Sequence, residues 1–239
     1  MTHSLFAADG RRFTAWVAIL GTVLGWTNVG LYVAATGGDL TVTMRPEVFL
    51  ALPVAAHTLF YSAMVLDTLG YYLAYLAIGG YLWSRLRSEH GAVMDMAVLC
   101  VVVYVILGVA GASIQFAAIG PLAAVHAAGD AAAKAASESA WLAIAQSAQN
   151  GLWLMEGPVM GFWGLVVGYA MRASGMAYGR LLMAAGAAYA GVFIAGVLGL
   201  AELATLVQLI AIFLLPLWAL LSGIHMLRQR GERLVAANQ

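Results

Sequence analysis

Long apolar runs separated by short polar segments dominate this sequence. Six runs have about the roughly 20 residues that cross a bilayer, or more, at about 13–36, 50–84, 93–119, 141–171, 180–200 and 203–227. Two runs exceed a simple crossing, and Pro53 and Pro158 each mark a helix start or kink in them. Their first turns are therefore assigned to extramembrane or interfacial helix. Residues 1–239 are predicted to form one all-α membrane domain with six transmembrane helices, at about 13–36, 58–84, 93–119, 148–171, 180–200 and 203–227.

The first apolar run is expected to remain in the protein. Arg11 and Arg12 precede it, as basic residues precede the apolar core of a signal peptide. However, the run is about twice as long as such a core, and no convincing small-residue cleavage site follows it. We therefore predict a retained first span.

Arginine and lysine positions predict the orientation of the bundle. With six spans and an inside N-terminus, the cytoplasmic side carries Arg11, Arg12, Arg85, Arg87, Arg172, Arg180, Arg228, Arg230 and Arg233. Only Arg45 and Lys134 fall outside. Cytoplasmic loops are enriched in Lys and Arg, so both termini are predicted to be cytoplasmic, in a bacterial inner membrane. Seven spans would place Arg85, Arg87, Arg172 and Arg180 outside, and we reject that count.

The composition excludes several classes of protein. Hydrophobic residues make up 63% of the chain and charged residues 9%, whereas soluble domains have about 45–50% and about 25%. Eleven basic and eleven acidic residues cancel, so no basic surface for nucleic acid exists. Cys100 is the single cysteine, which excludes an intrachain disulfide framework or thiolate metal site.

Lys134 lies in an alanine-rich outer segment, residues 129–140, rather than in a span. A retinal Schiff base of the rhodopsin type needs a lysine within a span, so this function is excluded. The segment favours helix and is expected to extend the fourth span. Trp141 at its end suits the membrane interface.

Small residues recur at a spacing of four in several predicted helices. The pairs are Gly21/Gly25, Gly157/Gly161, Gly164/Gly168 and Ala195/Gly199. Such pairs let helix backbones approach closely. We expect them to pack the bundle internally rather than to form a dimer face.

Polar side chains form a stripe on the second helix and another on the fourth. The first contains His57, Tyr61, Thr68, Tyr71, Tyr72 and Tyr75, with Asp67 at its edge; the second contains Gln146, Gln149, Asn150, Trp153 and Glu156. Such stripes avoid lipid, so we expect them to face each other. From the rise per residue, Asp67 and Glu156 lie roughly 24–27 Å from the cytoplasmic end. Asn28, Gln115 and Glu202 reach a similar level, so the polar groups concentrate in an outward-opening region.

Glu156 and Asp67 each have a functional and a structural interpretation. Glu156 precedes Gly157 and Pro158, and a proline frees a carbonyl one turn back, as in the ion and proton sites of broken helices. Alternatively, Glu156 fixes helix packing through hydrogen bonds. Asp67 has Tyr71 one turn away, which favours a structural carboxyl group.

No standard catalytic or metal motif is present. The sequence lacks GxSxG, HExxH, a P-loop and GxGxxG. His57 and His225 are predicted on opposite sides and so cannot ligate one haem. A metal site of His57, His126 and Glu156 is an open hypothesis without a spacing signature, and we assign no metal.

Three segments resemble a broad bacterial family of uncharacterised six-span membrane proteins, a domain of unknown function. They are MVLDTLGYYLAYLAIGGYLWSRLR from Met64 to Arg87, FWGLVVGYAMRASGMAYGRLLMAAGAAYAG from Phe162 to Gly191, and the final span ending SGIHMLRQRGE. They cover about half of the chain. The resemblance implies six helices with cytoplasmic termini and no particular activity.

Three functions remain as hypotheses. The first is the binding or passage of a small amphipathic molecule, such as a lipid or quinone, through an outward-opening pocket between helices 2 and 4. Its candidate ligand-binding residues are His57, Tyr61, Asp67, Tyr71, Tyr75, Gln149, Asn150, Trp153 and Glu156. The second is an accessory subunit of a larger membrane complex. The third is a lipid hydrolase or transferase with Glu156 as acid or base and His57 or Asp67 assisting. The sequence assigns no cofactor, and the expected partners are membrane lipids.

Overall fold

Helices account for nearly all of the chain in the computed structural model, which describes residues 2–237 and the side chains of 10–228. The helices are α1 (Thr2–Thr36), α2 (Pro46–Phe49), α3 (Val54–Asp67), α4 (Ala74–His90), α5 (Ala92–Ala128), α6 (Ala131–Gln146), α7 (Glu156–Ala173), α8 (Gly179–Val197) and α9 (Ala201–Ala237). A π-helical turn, Thr68–Leu73, joins α3 to α4, and another, Ser147–Leu152, follows α6. A 3-10 turn covers Val42–Met44.

Six segments are long and apolar enough to cross a membrane, which confirms the predicted all-α bundle of six spans. We number them span 1 to span 6: Gly10–Thr36, Val54–His90, Ala92–Ala128, Ala131–Ala173, Gly179–Val197 and Ala201–Arg228. Spans 2, 3 and 4 begin or end well beyond the predicted limits. At roughly 1.5 Å per residue they are too long for the hydrocarbon layer alone.

Two prolines shape the long spans in different ways. Pro53 has an extended backbone, with ψ of 151°, and span 2 begins at the next residue. Pro158 lies in the first turn of α7, where it has no N–H to donate to the carbonyl of Leu154. The N–H of Gly157 donates to that carbonyl instead, at 3.1 Å. Span 4 is therefore interrupted by a turn at residues 153–155, as expected from the proline.

The alanine-rich segment is helical, as predicted. Asp130 precedes α6 and its carboxylate accepts a hydrogen bond from the N–H of Ala133, at 2.9 Å. This is a standard N-terminal cap, and it stabilises the start of the helix. Span 4 thus extends far beyond the predicted start at residue 148.

The six spans form a ring in which each packs against its neighbours in the chain. Span 1 packs against span 2, and the order continues to span 6, which returns to span 1. Short connections make sequential helices antiparallel neighbours. The ring therefore encloses a central region to which all six spans have access.

Glycines allow the closest helix approaches. A Cβ on Gly164 of span 4 would lie 2.6 Å from the Cα of Gly186 in span 5. Gly21 and Gly25 of span 1 face span 2, where a Cβ on Gly70 would lie 2.5 Å from the backbone N of Gly25. The expectation of internal packing is confirmed for these glycines. It is wrong for Gly199, which has a φ of 71° in the turn after span 5 and where an added Cβ would meet no atom within 4 Å.

The two ends of the ring differ. At one end, which we call the arginine end, lie the connections 90–92 and 173–179 and the arginines Arg11, Arg12, Arg85, Arg87, Arg172, Arg180 and Arg228. At the other, the plug end, residues 37–53 form a folded segment that we call the plug segment. It has its own hydrophobic core with spans 1 to 4, which includes Phe49, Phe60, Ile119 and Trp141. A second, larger core fills the ring toward the arginine end.

Replacing Gly70 with Ala tests the contact between spans 1 and 2. The new Cβ would collide with the backbone of Gly25, and such overpacking costs about 1–3 kcal/mol. We expect Gly70→Ala to lower the melting temperature in detergent. Gly80→Ala, in the same span but with no atom within 4 Å of the new Cβ, is the control and should leave stability unchanged or slightly higher. Equal melting temperatures for the two variants would contradict the close approach.

Candidate functional site

Two buried carboxyl groups lie together near the centre of the ring. Asp67 ends α3 and is 8% exposed, and Glu156 begins α7 and is 6% exposed. The two groups interact electrostatically with each other, and the Tyr72 hydroxyl is close to both. The structure therefore brings together two of the residues predicted from the sequence. We call Asp67, Tyr72 and Glu156 the carboxyl centre.

A π-helical turn lies beside each carboxyl group. Thr68–Leu73 directly follows Asp67, and Ser147–Leu152 lies one short turn before Glu156. The first turn contains Gly70, which lets span 2 approach span 1, and the second precedes the break caused by Pro158. A π-helical turn is rare and frequently occurs at functional sites. Both π turns in the described part of the chain therefore flank the same centre.

The polar contacts of the two carboxyl groups come from neutral side chains. Asn28 of span 1 donates from Nδ2 to Oδ1 of Asp67 at 3.1 Å. Glu156 has one oxygen, Oε1, that is buried and has no hydrogen-bond partner. An unpaired buried polar atom is costly, so this oxygen is available for a proton or a ligand.

Tyrosines from three spans surround the centre. Tyr71, Tyr72 and Tyr75 come from span 2, Tyr104 from span 3 and Tyr189 from span 5. The rings of Tyr72 and Tyr104 lie 5.0 Å apart between centroids, and Tyr104 lies 6.3 Å from Tyr189. The hydroxyl of Tyr75 is buried without a partner. The centre thus combines apolar ring faces with a few polar groups.

Tyr71 connects the centre to span 6 by a hydrogen bond to a carbonyl that Pro216 leaves without a backbone donor. Because Pro216 has no N–H, the carbonyl of Ile212 one turn earlier lacks its helical donor. The Tyr71 hydroxyl donates to that carbonyl at 2.9 Å. The carbonyl of Pro216 itself accepts from Thr22 of span 1, also at 2.9 Å.

Spans 2 and 4 do not face each other along their length, which corrects the prediction. They meet only over a short stretch, because span 3 lies between them. Glycines on span 3 make room for aromatic side chains from both: Gly108 holds the Tyr72 ring, Gly111 the Trp153 indole and Gly120 the Tyr61 hydroxyl. Trp153 also donates from Nε1 to the Gly108 carbonyl at 3.4 Å.

Thr43 of the plug segment connects span 1 to span 4. Its carbonyl accepts from Nε1 of Trp141 at 2.9 Å, and its hydroxyl accepts from Nε2 of Gln149 at 3.0 Å. The same hydroxyl lies 3.3 Å from that of Tyr32. Thr43 is fully buried, so these bonds are shielded from water. The plug segment therefore fills the end of the region that was expected to open outward.

The base of the plug segment carries an ion pair between Asp39 and Arg45. Hydrogen bonds from the side chain and backbone of Thr41 lower the pKa of Asp39 below its usual value, with a smaller contribution from Arg45. Asp39 therefore stays ionised at neutral pH and keeps its partner.

Trp141 was predicted to lie at the membrane interface, but it is a buried residue of the plug region. It has no exposed surface and stacks on Phe49, with ring centroids 4.7 Å apart. Its indole N–H donates to the Thr43 carbonyl, so it needs no polar partner at the membrane interface. The plug segment covers the position that the sequence pattern placed at the surface.

His57 lies in the plug region rather than at the carboxyl centre. Its Nε2 is 3.0 Å from the carbonyl of Phe49, and its ring packs against that of Phe49. Ten residues of helix, about 15 Å, separate it from Asp67. His57 therefore cannot assist Glu156 or Asp67 as a direct catalytic partner.

The metal hypothesis of His57, His126 and Glu156 is wrong. His126 interacts with Glu138, with Nε2 and Oε1 2.9 Å apart, at the plug end. Among the described residues, no group of three or more His, Cys, Asp or Glu side chains could hold a metal ion. The three residues proposed from the sequence are not assembled.

Asn150 and Gln146 are exposed, which is the second correction to the stripe on span 4. The π turn Ser147–Leu152 changes the helical register at this position, so a stripe counted at 3.6 residues per turn loses its face. Asn150 is thus separate from the carboxyl centre. Gln149 alone of these three amides points inward, to Thr43.

Sequence reasoning missed Tyr104 and Tyr189. Each is a single tyrosine within an apolar run, and neither belongs to a polar stripe. Both are nevertheless close to Glu156. A lone tyrosine deep in an apolar span was the available signal, since its hydroxyl needs a partner inside the bundle.

Comparison of the chain with protein-family models, with curated proteins and with solved structures finds no match.

Replacing Thr43 with Val tests the plug segment. Valine keeps the shape but leaves the Gln149 amide and the Tyr32 hydroxyl without their common partner, at a cost of about 1–3 kcal/mol. We expect a lower melting temperature in detergent. Thr58→Val is the control, because the exposed Thr58 hydroxyl bonds only to the carbonyl of Val54 in its own helix. If both variants melt at the wild-type temperature, Thr43 does not hold the plug segment.

Proposed function

We propose that the protein binds or passes a small amphipathic molecule, such as a lipid or quinone, at the carboxyl centre, to which spans 2 and 4 each contribute one carboxyl group. The observation that carries this proposal is the pair of buried carboxyl groups flanked by the two π-helical turns. Intramembrane carboxyl groups are expensive and usually belong to a substrate or ion pathway.

The chemistry around the centre supports an amphipathic ligand. Ligand sites are lined mostly by apolar and aromatic groups, with a few polar atoms that fix orientation. Tyr72, Tyr104 and Tyr189 supply the aromatic faces, while Glu156 Oε1 and the Tyr75 hydroxyl supply unpartnered polar atoms. Asp67, already bonded to Asn28, is a second acceptor.

The local backbone supports movement at this site. The π turns and the break at residues 153–155 weaken the regular hydrogen-bond ladder in two spans at the level of the carboxyl groups. Discontinuous helices of this kind form the binding sites of many transporters. Passage of a molecule to the plug end requires the plug segment to shift, because its side chains now occupy that position.

The other hypotheses have less support in the geometry. The hydrolase or transferase hypothesis loses His57 as a partner of Glu156. The accessory-subunit hypothesis and the resemblance to the family of uncharacterised six-span proteins both stay predictions.

The proposed location is a bacterial inner membrane, with the arginine end in the cytoplasm. The support is the positive-inside rule applied to the loops and termini at that end. The plug segment would then face the outer side.

Binding is tested by native mass spectrometry of protein extracted gently from its membrane. We expect a retained lipid, quinone or pigment on the wild-type protein. Glu156→Gln keeps the shape of the side chain but loses the carboxyl group, and should reduce the retained fraction about tenfold, the effect of one strong hydrogen bond. Glu202→Gln, which removes an exposed carboxyl group at the start of span 6, is the matched control. Absence of any retained molecule, or equal retention by both variants, would overturn the proposal.

Orientation is tested by reporters fused to the C-terminus of the full chain. A reporter that fluoresces only in the cytoplasm should be active, and one that needs the periplasm should be inactive. The same pair of reporters inserted between residues 129 and 131 should give the reverse pattern. Activity of the periplasmic reporter at the C-terminus would reverse the proposed topology.

A further inference from the structure

Among the described residues, the carboxyl centre has two acidic groups and no basic partner. Its surroundings are Asn28 on span 1; Tyr71, Tyr72 and Tyr75 on span 2; Tyr104 on span 3; Tyr189 on span 5; and the Ile212 carbonyl on span 6, held by Tyr71. All of these are neutral. The arginines lie at the arginine end or, in the case of Arg45, in the plug segment, and the nearest histidine on span 2, His57, bonds to Phe49.

Protons are the neutralising species that this arrangement admits. Moving one unpaired carboxylate into a low-dielectric interior is very costly, and two adjacent like charges cannot both persist. A metal ion would need several ligands, and among the described residues no group of three or more His, Cys, Asp or Glu side chains could hold one. At least one of the two carboxyl groups therefore carries a proton.

The geometry of the centre allows a proton to be shared. The Tyr72 hydroxyl is close to both carboxyl groups and can accept and donate a hydrogen bond. Oε1 of Glu156 and Oδ1 of Asn28 have no partner, so each can accept one. The Tyr72 hydroxyl is therefore placed to pass a proton between Asp67 and Glu156.

Gln115 marks a route from the centre toward the plug end. It lies on the same face of span 3 as Gly108, which holds the Tyr72 ring, but seven residues or about 10 Å further toward the plug end. It is fully buried, and neither its Nε2 nor its Oε1 has a partner in the part of the chain that the structure describes. Buried polar groups without a protein partner commonly hydrogen-bond to internal water, which can also carry protons.

The opposite direction is packed mainly with apolar side chains. Between the centre and the arginine end, the ring is filled by a buried core that includes Ile78, Leu82, Val101, Val167 and Leu182. These five side chains are apolar. Gln115, a buried amide without a partner among the described residues, therefore favours exchange toward the plug end.

We propose that Asp67 and Glu156 form a proton-binding site that exchanges protons with the plug side of the membrane through Gln115. The proposal concerns the same carboxyl groups as the amphipathic ligand but a different bound species. It goes beyond the proposed function and does not depend on it.

Infrared spectroscopy of the protein in an ester-free detergent tests this directly. A protonated carboxyl group has a carbonyl band that ionised, exposed carboxylates lack, so the wild-type protein should show this band at neutral pH. Asp67→Asn and Glu156→Gln identify its source by removing all or part of it, and Glu202→Gln should leave it unchanged. Transfer to heavy water should shift the band as the proton is replaced by deuterium.

The route is tested by the rate of that shift. Gln115→Met has nearly the same volume, removes both unpartnered amide atoms and is expected to fold. It should keep the band but slow the shift about tenfold. Gln146→Met, an exposed amide on span 4, should exchange at the wild-type rate.

Each result decides the proposal. A wild-type protein without the band at neutral pH, or with a band that heavy water does not shift, overturns the exchangeable proton site. Equal rates for Gln115→Met and Gln146→Met overturn the route. If the band is present but no amphipathic molecule is retained, the proposed function is refuted and the proton site is supported. If a molecule is retained but the band is absent, the proton site is refuted and the proposed function is supported.

Discussion

The need to keep two carboxyl groups inside a membrane bundle without a basic partner governs much of this structure. Asp67 and Glu156 are almost fully buried, and their neighbours are amides and hydroxyls rather than guanidinium or ammonium groups. Lipid cannot solvate such groups, so the protein places them at the centre of a ring of six spans. The tyrosines of spans 2, 3 and 5 then fill the space around them.

Glycine and proline make this centre sterically feasible. Gly108 and Gly111 on span 3 give room to the Tyr72 ring and the Trp153 indole, so aromatic groups from two spans reach the middle of the bundle. Pro216 frees the carbonyl that Tyr71 uses, and Pro158 breaks span 4 just beside Glu156. At Pro216 a side-chain hydrogen bond from Tyr71 thus replaces the lost backbone bond, whereas at Pro158 the carbonyl of Leu154 accepts from the backbone N–H of Gly157.

The sequence was sufficient for the number of spans and for the shared level of Asp67 and Glu156, because both depend on local hydropathy and on the constant rise of a helix. It was insufficient for Asn150 and Gln146, because the π turn Ser147–Leu152 shifts their register relative to Glu156 and no feature of the composition indicated that turn. It also failed for Trp141. That side chain is buried by the plug segment, a contact between residues almost one hundred positions apart. Tyr104 and Tyr189 acquire their role only when three spans converge, which periodicity within one helix cannot reveal.

Because the spans differ in length, they reach different heights at the plug end. Span 5 has 19 residues, about 28 Å, whereas span 2 has 37, about 55 Å. If the arginine ends are level, spans 2, 3 and 4 rise above the bilayer while spans 5 and 6 end near its surface. The exposed amides of Gln146 and Asn150 on span 4 then lie at the depth of the lipid headgroups, where they contact water and polar lipid rather than acyl chains. The protein thus extends beyond the lipid surface on the side of spans 2, 3 and 4 and ends near that surface on the side of spans 5 and 6.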